Sequence, residues 1–259
     1  MDRIVTLIEN GEGEHHALAA EHGISFFIEK GGRRLLFDTG QSGAFIANSE
    51  KLKIDLSGTE CVVISHGHYD HSGGIRPLSG LTTGFQLVVG KGFFTPKFAT
   101  DGTSYEYLGN DFDEDFLRSR NIRYRFVEGG KEEIVPGVFA VTAFERRHSD
   151  EVTNRRFVRR RDGRFEPDPF DDEILLVVET SKGLVVVLGC SHPGLKNMLD
   201  TVRSLFPQPL YALLGGTHLV EASDESVERT LAYLTGVSEI NCSEARKATA
   251  GAGLVQIGL

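Results

Sequence analysis

The feature that most constrains this chain is the loop Ser65–Gly74, which directly follows a short apolar run, Cys61–Ile64. The loop places three of the chain's nine histidines within six residues, and an aspartate stands among them. Imidazole and carboxylate groups are the side chains that bind Zn²⁺, Mn²⁺ or Fe. A strand that ends in such a loop predicts a metal site at that strand end.

The spacing of the loop residues predicts how they share the metal. In an extended segment, residues two apart point the same way, so His66 and His68 can bind one ion. Asp70 and His71 come further round the turn and can point at a second position. The glycines of the loop are expected to permit unusual backbone dihedrals, and they are Gly67, Gly73 and Gly74.

Polar side chains follow three other predicted strands. Asp38 comes directly after the run Leu35–Phe37, and an aspartate in this position beside a metal site commonly orients a ligand histidine through its second nitrogen. His192 follows the strand Leu184–Leu188 and is a candidate ligand. His218 follows the strand Tyr211–Leu214 and is a candidate ligand or catalytic residue.

Cys190 lies two residues before His192. It is either a buried apolar side chain or a metal-facing thiol, and the sequence favours neither.

Short β-type runs bounded by glycine and polar clusters alternate with a few helical patterns. No linker or repeat interrupts them, so we predict one domain over residues 1–259. The predicted strands are Ile4–Ile8, Ile24–Ile28, Arg34–Phe37, Cys61–Ile64, Gln86–Val89, Val138–Phe144, Ile174–Val178, Leu184–Leu188 and Tyr211–Leu214. The predicted helices are Gly43–Leu52, Glu114–Arg118, Leu195–Leu205 and Ser223–Leu234.

Composition argues against several classes of partner. The 259 residues carry a formal net charge of −9, which argues against non-specific nucleic-acid binding. No apolar run approaches the length of a membrane span. Three cysteines are too few for a disulfide framework and fit a reducing, cytoplasmic compartment.

Eight arginines lie between Arg146 and Arg164, against this acidic background. They form either a solvated surface hairpin or a clamp for an anionic substrate, because the arginine fork matches phosphate and carboxylate oxygens. The substrate-binding candidates are Glu145, Arg146 and Arg147, with Asp172 as a further pocket candidate.

These residues together resemble the metallo-β-lactamase superfamily. Within it, the chain is similar to the branch named after the archaeal dihydropterin-methyl ribofuranosyl-aminobenzene phosphate synthases. The matching stretches span most of the chain and are Glu21–Phe26, Leu36–Gly43, Ser65–Gly74, Gly189–Gly194 and Gly215–Leu219.

The resemblance implies an α/β fold, an αββα sandwich of two mixed sheets flanked by helices, with one or two metal ions. Zinc is the expected metal, and Mn or Fe are alternatives. By this resemblance His66, His68 and His192 bind one ion, while Asp70 and His71 help to bind the other. Cys190 falls where many members of the superfamily place a metal-bridging aspartate.

One position departs from the family pattern. Relatives carry a histidine near the C-terminus that completes the metal centre, whereas this chain has Asn241, a much poorer ligand. Three interpretations remain open: a one-metal enzyme, a centre in which His218 or His148 substitutes, or a lineage that has lost catalysis.

The sequence therefore predicts a metal-dependent hydrolase acting on an anionic small molecule, with Asp70 and His218 in catalytic roles. Two alternatives are kept. One is the synthase reaction of the resembled branch, and the other is a non-catalytic metal-binding or regulatory protein. The sequence does not indicate an oligomeric state.

Overall fold

A computed structural model of the chain describes residues 2–11, 17–219 and 222–237. Its strands, in chain order, are β1 (Arg3–Ile8), β2 (Ser25–Lys30), β3 (Arg33–Phe37), β4 (Cys61–Val63), β5 (Gln86–Gly90), β6 (Lys97–Thr100), β7 (Tyr105–Tyr107), β8 (Arg123–Val127), β9 (Lys131–Val135), β10 (Val138–Val141), β11 (Phe157–Arg161), β12 (Arg164–Pro167), β13 (Leu175–Thr180), β14 (Gly183–Leu188) and β15 (Leu210–Gly215). Its helices are α1 (Ala44–Lys51), α2 (Tyr69–Ser72), α3 (Ile75–Leu81), α4 (Glu114–Ser119), α5 (Leu195–Leu205) and α6 (Asp224–Val237).

The chain divides into two compact units, each made of two segments. The first unit contains residues 1–127 and 154–172, and the second contains residues 128–153 and 173–259. The prediction of a single domain stays a prediction, and each unit is described by itself.

The first unit is built on a six-stranded mixed sheet in the order β1-β2-β3-β4-β5-β8. Strands β3, β4, β5 and β8 run parallel, with Val62 of β4 paired to Leu36 and Leu87. Phe45 of α1 and Leu78 of α3 join Val62 in one buried apolar cluster, so helices cover a face of this sheet. Because parallel strands end at the same edge, the residues that follow β3 and β4 emerge side by side.

A second sheet of the first unit is antiparallel, in the order β12-β11-β6-β7. Its β11–β12 hairpin carries four of the eight arginines of the predicted cluster. Arg160 and Arg161 are exposed there, whereas Arg159 forms ion pairs with Glu166 and Asp171. This part of the cluster is a solvated surface hairpin.

The second unit is a five-stranded mixed sheet in the order β15-β14-β13-β10-β9. Only β14 and β15 are parallel, and Leu188 at the end of β14 lies opposite Gly215 at the end of β15. Met198 and Leu199 of α5 pack with Val186 in the apolar cluster of this unit. The prediction of mixed sheets flanked by helices is confirmed.

All the predicted strands and helices are present; α5 has its predicted bounds, and the others differ at one end or at both. The strand predicted to reach Phe144 stops at Val141, because Ala143 has a left-handed backbone with φ +61°. Helix α6 begins at Asp224, one residue after its predicted start, and the amide of Ser226 donates to Ser223 Oγ at 3.3 Å, as at a capped helix start. Among the helices of the described ranges, none combines the length and the apolar character that crossing a bilayer requires.

Candidate functional site

The histidine loop of the first unit connects β4 to the short helix α2. Nε2 of His66 lies 3.1 Å from Nδ1 of His68, and both side chains are buried. Ser65 Oγ lies 2.9 Å from Nδ1 of His66, which leaves Nε2 as the nitrogen of His66 that faces His68. Two nitrogens bound to one tetrahedral Zn²⁺ are about 3.3 Å apart, from Zn–N distances of about 2.0–2.1 Å. The pair therefore fits a shared metal ion.

Asp38, at the end of β3, reaches this loop from the neighbouring parallel strand. The amide of Ser65 donates to Asp38 Oδ1 at 2.7 Å, and Ser65 Oγ donates to Oδ2 at 2.8 Å. Asp38 Oδ2 also lies 2.6 Å from Nδ1 of His71. The hydrogen bond at Nδ1 makes Nε2 the atom through which His71 would bind a metal ion, once Nε2 has lost its proton.

Asp70 lies on the far side of His71, with its Oδ2 atom 3.2 Å from His71 Nε2. Burial disfavours its charge, but the charge and hydrogen bond of His71, with His68 and His22 nearby, hold the pKa of Asp70 below its ordinary value. Asp70 is therefore ionised at neutral pH and is suited to bind a cation.

His22 is a site residue to which the sequence analysis assigned no role. Its Nε2 atom lies 3.4 Å from Asp70 Oδ2, its Nδ1 atom lies 3.2 Å from the Asn10 amide, and its side chain is 55% exposed. The neighbouring Gly23 has φ +105°, and a Cβ atom there would stand 1.8 Å from the carbonyl oxygen of Asp70. Only glycine permits this approach, so His22 is held beside Asp70 by the backbone.

The glycines of the loop are needed for close packing and not, as expected, for unusual backbone dihedrals. Gly73 and Gly74 have φ −63° and −78°, which any residue adopts, so unusual dihedrals are not their role. Close packing requires them instead. At Gly67 a Cβ atom would stand 2.3 Å from the carbonyl oxygen of Phe93.

The second unit contains candidate ligands at the ends of its two parallel strands. The ligand atoms of Cys190, His192 and His218 all lie within 4.8 Å of one another, and the two imidazole rings are 4.6 Å apart. The amide of Gly216 donates to the carbonyl of Gly189 at 2.8 Å, which joins the two strand ends. This group can hold a metal ion through one thiolate and two imidazoles.

The segment 144–153 of the second unit carries the predicted substrate-binding residues. Arg146 donates to Thr153 Oγ1 at 2.8 Å, and Arg147 donates to Glu145 Oε2 at 2.7 Å. Glu145 and Arg147 line a surface depression of this unit together with Asn197. An anion bound there would compete with Glu145 for the guanidinium of Arg147.

His148 is held by helix α5. Its Nε2 atom lies 2.8 Å from Asp200 Oδ2, and its backbone amide donates to Asn197 Oδ1 at 2.9 Å. This pairing favours a structural role over that of a replacement ligand. The position that prompted the replacement hypothesis, Asn241, lies outside the described residues.

The comparisons with known proteins agree with this geometry. A model of the metallo-beta-lactamase superfamily matches residues 20–195. The chain belongs to this superfamily. The metallo-β-lactamase fold expected from the sequence motifs is thereby confirmed.

Two relatives within the metallo-β-lactamase superfamily carry names that point to different reactions. A 7,8-dihydropterin-6-methyl-4-(beta-D-ribofuranosyl)-aminobenzene-5'-phosphate synthase of Methanocaldococcus jannaschii is 28% identical over 256 residues, covering 92% of this chain and 85% of the relative. The solved structure of Tm1679, described as a metal-dependent hydrolase of the β-lactamase superfamily, is 32% identical with a TM-score of 0.79. That comparison covers 92% of this chain and 84% of the other.

Proposed function

We propose that this chain is a metal-dependent hydrolase of anionic small-molecule esters or phosphates. The observation that carries the proposal is the His66–His68 pair, whose facing nitrogens are 3.1 Å apart and buried. Two imidazole nitrogens at this distance suit one bound cation. Zinc is the proposed metal because it prefers imidazole and thiolate ligands, and Mn or Fe are alternatives.

The residues around the His66–His68 pair would have different roles in such a site. A divalent ion bound there supplies Lewis acidity, which polarises a substrate oxygen and lowers the pKa of water toward about 7. Asp38 fixes the orientation of His71, and ionised Asp70 accepts a hydrogen bond beside it. His22, half in solvent next to Asp70, can contact the substrate.

The prediction that His192 binds the same ion as His66 and His68 stays a prediction. Cys190 and His218 are proposed as further ligands beside His192, on the strength of their mutual distances. A catalytic role of His218 and substrate contacts of Arg146, Arg147 and Glu145 are proposals of the same kind.

The metal content of the purified chain tests the proposal first. We expect the wild-type protein, purified without chelator, to contain at least one ion per chain and His68→Ala to lose most of it. His148→Ala is the matched control, because His148 pairs with Asp200 instead of another histidine. A wild-type chain that binds neither Zn²⁺ nor Mn²⁺ would contradict the proposal and favour a non-catalytic protein.

Turnover tests the reaction class. We expect the metal-loaded chain to hydrolyse p-nitrophenyl phosphate, bis-p-nitrophenyl phosphate or p-nitrophenyl acetate, and His68→Ala to lose this activity. Full activity of His68→Ala would show that the reaction does not use this site.

A synthase is the second candidate, because the named archaeal relative aligns with 92% of this chain. That candidate predicts a coupled product and released diphosphate when a pterin-methyl diphosphate and a phosphorylated arylamine riboside are supplied together. Hydrolysis of the diphosphate substrate without coupling would favour the hydrolase.

A further inference from the structure

The first unit contains a buried lysine that the proposed reaction does not use. Lys97, at the start of β6, is 2% exposed. Its Nζ atom donates to Asp168 Oδ2 at 2.7 Å and to Asp172 Oδ1 at 2.9 Å, and both carboxylates are equally buried. Burial alone would lower the pKa of Lys97, but the two carboxylates raise it above its ordinary value, so the lysine is charged.

A stable core does not as a rule require a buried ionic group. Apolar side chains of similar volume in place of a buried ion pair are often neutral or stabilising, because charges lose their hydration on burial. What Lys97 and its two partners supply, and apolar residues cannot, is a fixed hydrogen-bond acceptor. That acceptor is the second carboxylate oxygen of Asp172, because Lys97 donates to only one of the two.

The second oxygen of Asp172 reaches the histidine loop. The amide of Gly67, the residue between His66 and His68, donates to Asp172 Oδ2 at 2.8 Å. Lys97 also packs against Gly67, since its Cε atom would stand 3.2 Å from a Cβ atom placed on Gly67. The expectation that Asp172 lines a substrate pocket does not fit these contacts, because its side chain is only 1% exposed.

Asp168 acts on the same loop less directly. Its Oδ1 atom accepts the amide of Phe170 at 2.8 Å, and the Phe170 ring packs 5.5 Å from His68 and 6.1 Å from His66. Asp168 therefore influences the histidines only through the Phe170 ring that packs against them. Asp172 instead accepts a hydrogen bond from the backbone between them.

We infer that Asp172, held by Lys97, is a positioning residue that sets the His66–His68 pair for metal binding before any ion arrives. The inference rests on the proposed metal site. It predicts that Asp172 determines metal affinity through one hydrogen bond, to the amide of Gly67, and not through its charge.

Asp172→Asn and Asp168→Asn form a matched pair that separates these two effects. Each removes one negative charge from Lys97, but only position 172 contacts the loop. At either position asparagine offers one oxygen to two donors, and the charged Lys97 is expected to keep it. The contact that is lost is then the one to the backbone amide, which is the Gly67 amide of the histidine loop at position 172 and the Phe170 amide outside that loop at position 168. By calorimetry with Zn²⁺ alone, we expect Asp172→Asn to bind about 10–100-fold more weakly than wild type and Asp168→Asn to stay within about threefold.

Equal affinities of the two variants, or an Asp172→Asn variant as tight as wild type, would overturn the inference and leave the proposed metal site intact. Thermal unfolding of both variants without metal shows whether a difference in folding accounts for the result. A Co²⁺ spectrum that changes in Asp172→Asn and not in Asp168→Asn would further support positioning.

A second measurement needs no variant. In the metal-free wild-type protein, the Gly67 amide should exchange with deuterium far more slowly than the amides of exposed turns such as Gly102 and Gly163. Rapid exchange at Gly67 would show that the bridge to Asp172 is not formed in solution and would overturn the inference. A wild-type chain that binds no metal would instead overturn the proposed function, and the positioning role with it.

Discussion

Nδ1 of His71 lies 2.6 Å from Oδ2 of Asp38, and both side chains are almost completely buried. The same carboxylate accepts the amide and the hydroxyl of Ser65, so one side chain holds both ends of the histidine loop. Because β3 and β4 are adjacent parallel strands, Asp38 reaches the loop without any intervening element. The orientation of a candidate ligand is therefore built into the sheet edge.

Asp38→Asn should weaken metal binding while leaving the fold in place. Asparagine keeps one oxygen for the amide of Ser65 but turns a donor toward His71, which loses its fixed orientation. We expect a loss of metal affinity of about 10–100-fold and a decrease in the free energy of unfolding of about 1–3 kcal/mol. Metal titration followed by calorimetry and denaturant unfolding measure the two effects. Unchanged affinity would show that Asp38 supports only the fold.

His22 should matter for turnover and little for stability. Its side chain is 55% exposed and contacts Asp70 at 3.4 Å, so His22→Ala removes a charge-assisted contact and almost no packing. We expect the free energy of unfolding to change by less than about 0.5 kcal/mol and kcat/KM to fall about tenfold or more.

His22→Gln is the conservative control, because its amide can still donate to Asp70. Partial recovery of kcat/KM in His22→Gln would support a contact role. Equal activity of wild type and His22→Ala would remove His22 from the site.

The sequence predicts the local parts of the site and misses the distant ones. His66, His68, Asp70 and His71 are neighbours in the chain, and Asp38 follows an apolar strand, so periodicity and ligand chemistry suffice to find them. His22 meets Asp70 only because Gly23 lets two distant segments touch. The stretch Glu21–Phe26 resembled the family pattern, which was the one available sign of a role.

Similar reasoning explains four of the strands that were not predicted. Strands β6, β7, β11 and β12 are short, and aromatic and charged residues interrupt their alternation. Their sheet depends on pairing between segments that are far apart in sequence, since Phe98 of β6 lies opposite Val158 of β11. Lys97 lies in this sheet, and nothing in its sequence neighbourhood marks it as buried.

Glu151 should stabilise helix α5 from outside the helix. Its two carboxylate oxygens accept the amides of Lys196 and Asn197 at 2.8 and 3.0 Å, which are amides of the first turn without partners inside the helix. The residue before the helix, Gly194, has no side chain to do this. We expect Glu151→Ala to lower the free energy of unfolding by about 1–2 kcal/mol.

Glu151→Gln keeps one acceptor and should lose about half as much, which denaturant unfolding can resolve. A loss as large as that of Glu151→Ala would show that the charge of Glu151, acting on the helix dipole, matters more than its hydrogen bonds.

Cys190 and Cys61 should behave differently toward metal. Cys61 is buried in β4, and burial raises the pKa of its thiol to about 12, so it stays protonated at neutral pH. Cys190 is partly exposed and groups with His192 and His218, where a bound cation would favour its thiolate. We expect the Co²⁺-loaded protein to show thiolate-to-cobalt charge-transfer absorption that Cys190→Ser loses and Cys61→Ser keeps.

Absorption that survives in Cys190→Ser but disappears in Cys242→Ser would instead assign the ligand to Cys242. Absence of the band in wild type would mean that Cys190 is only a packed apolar residue.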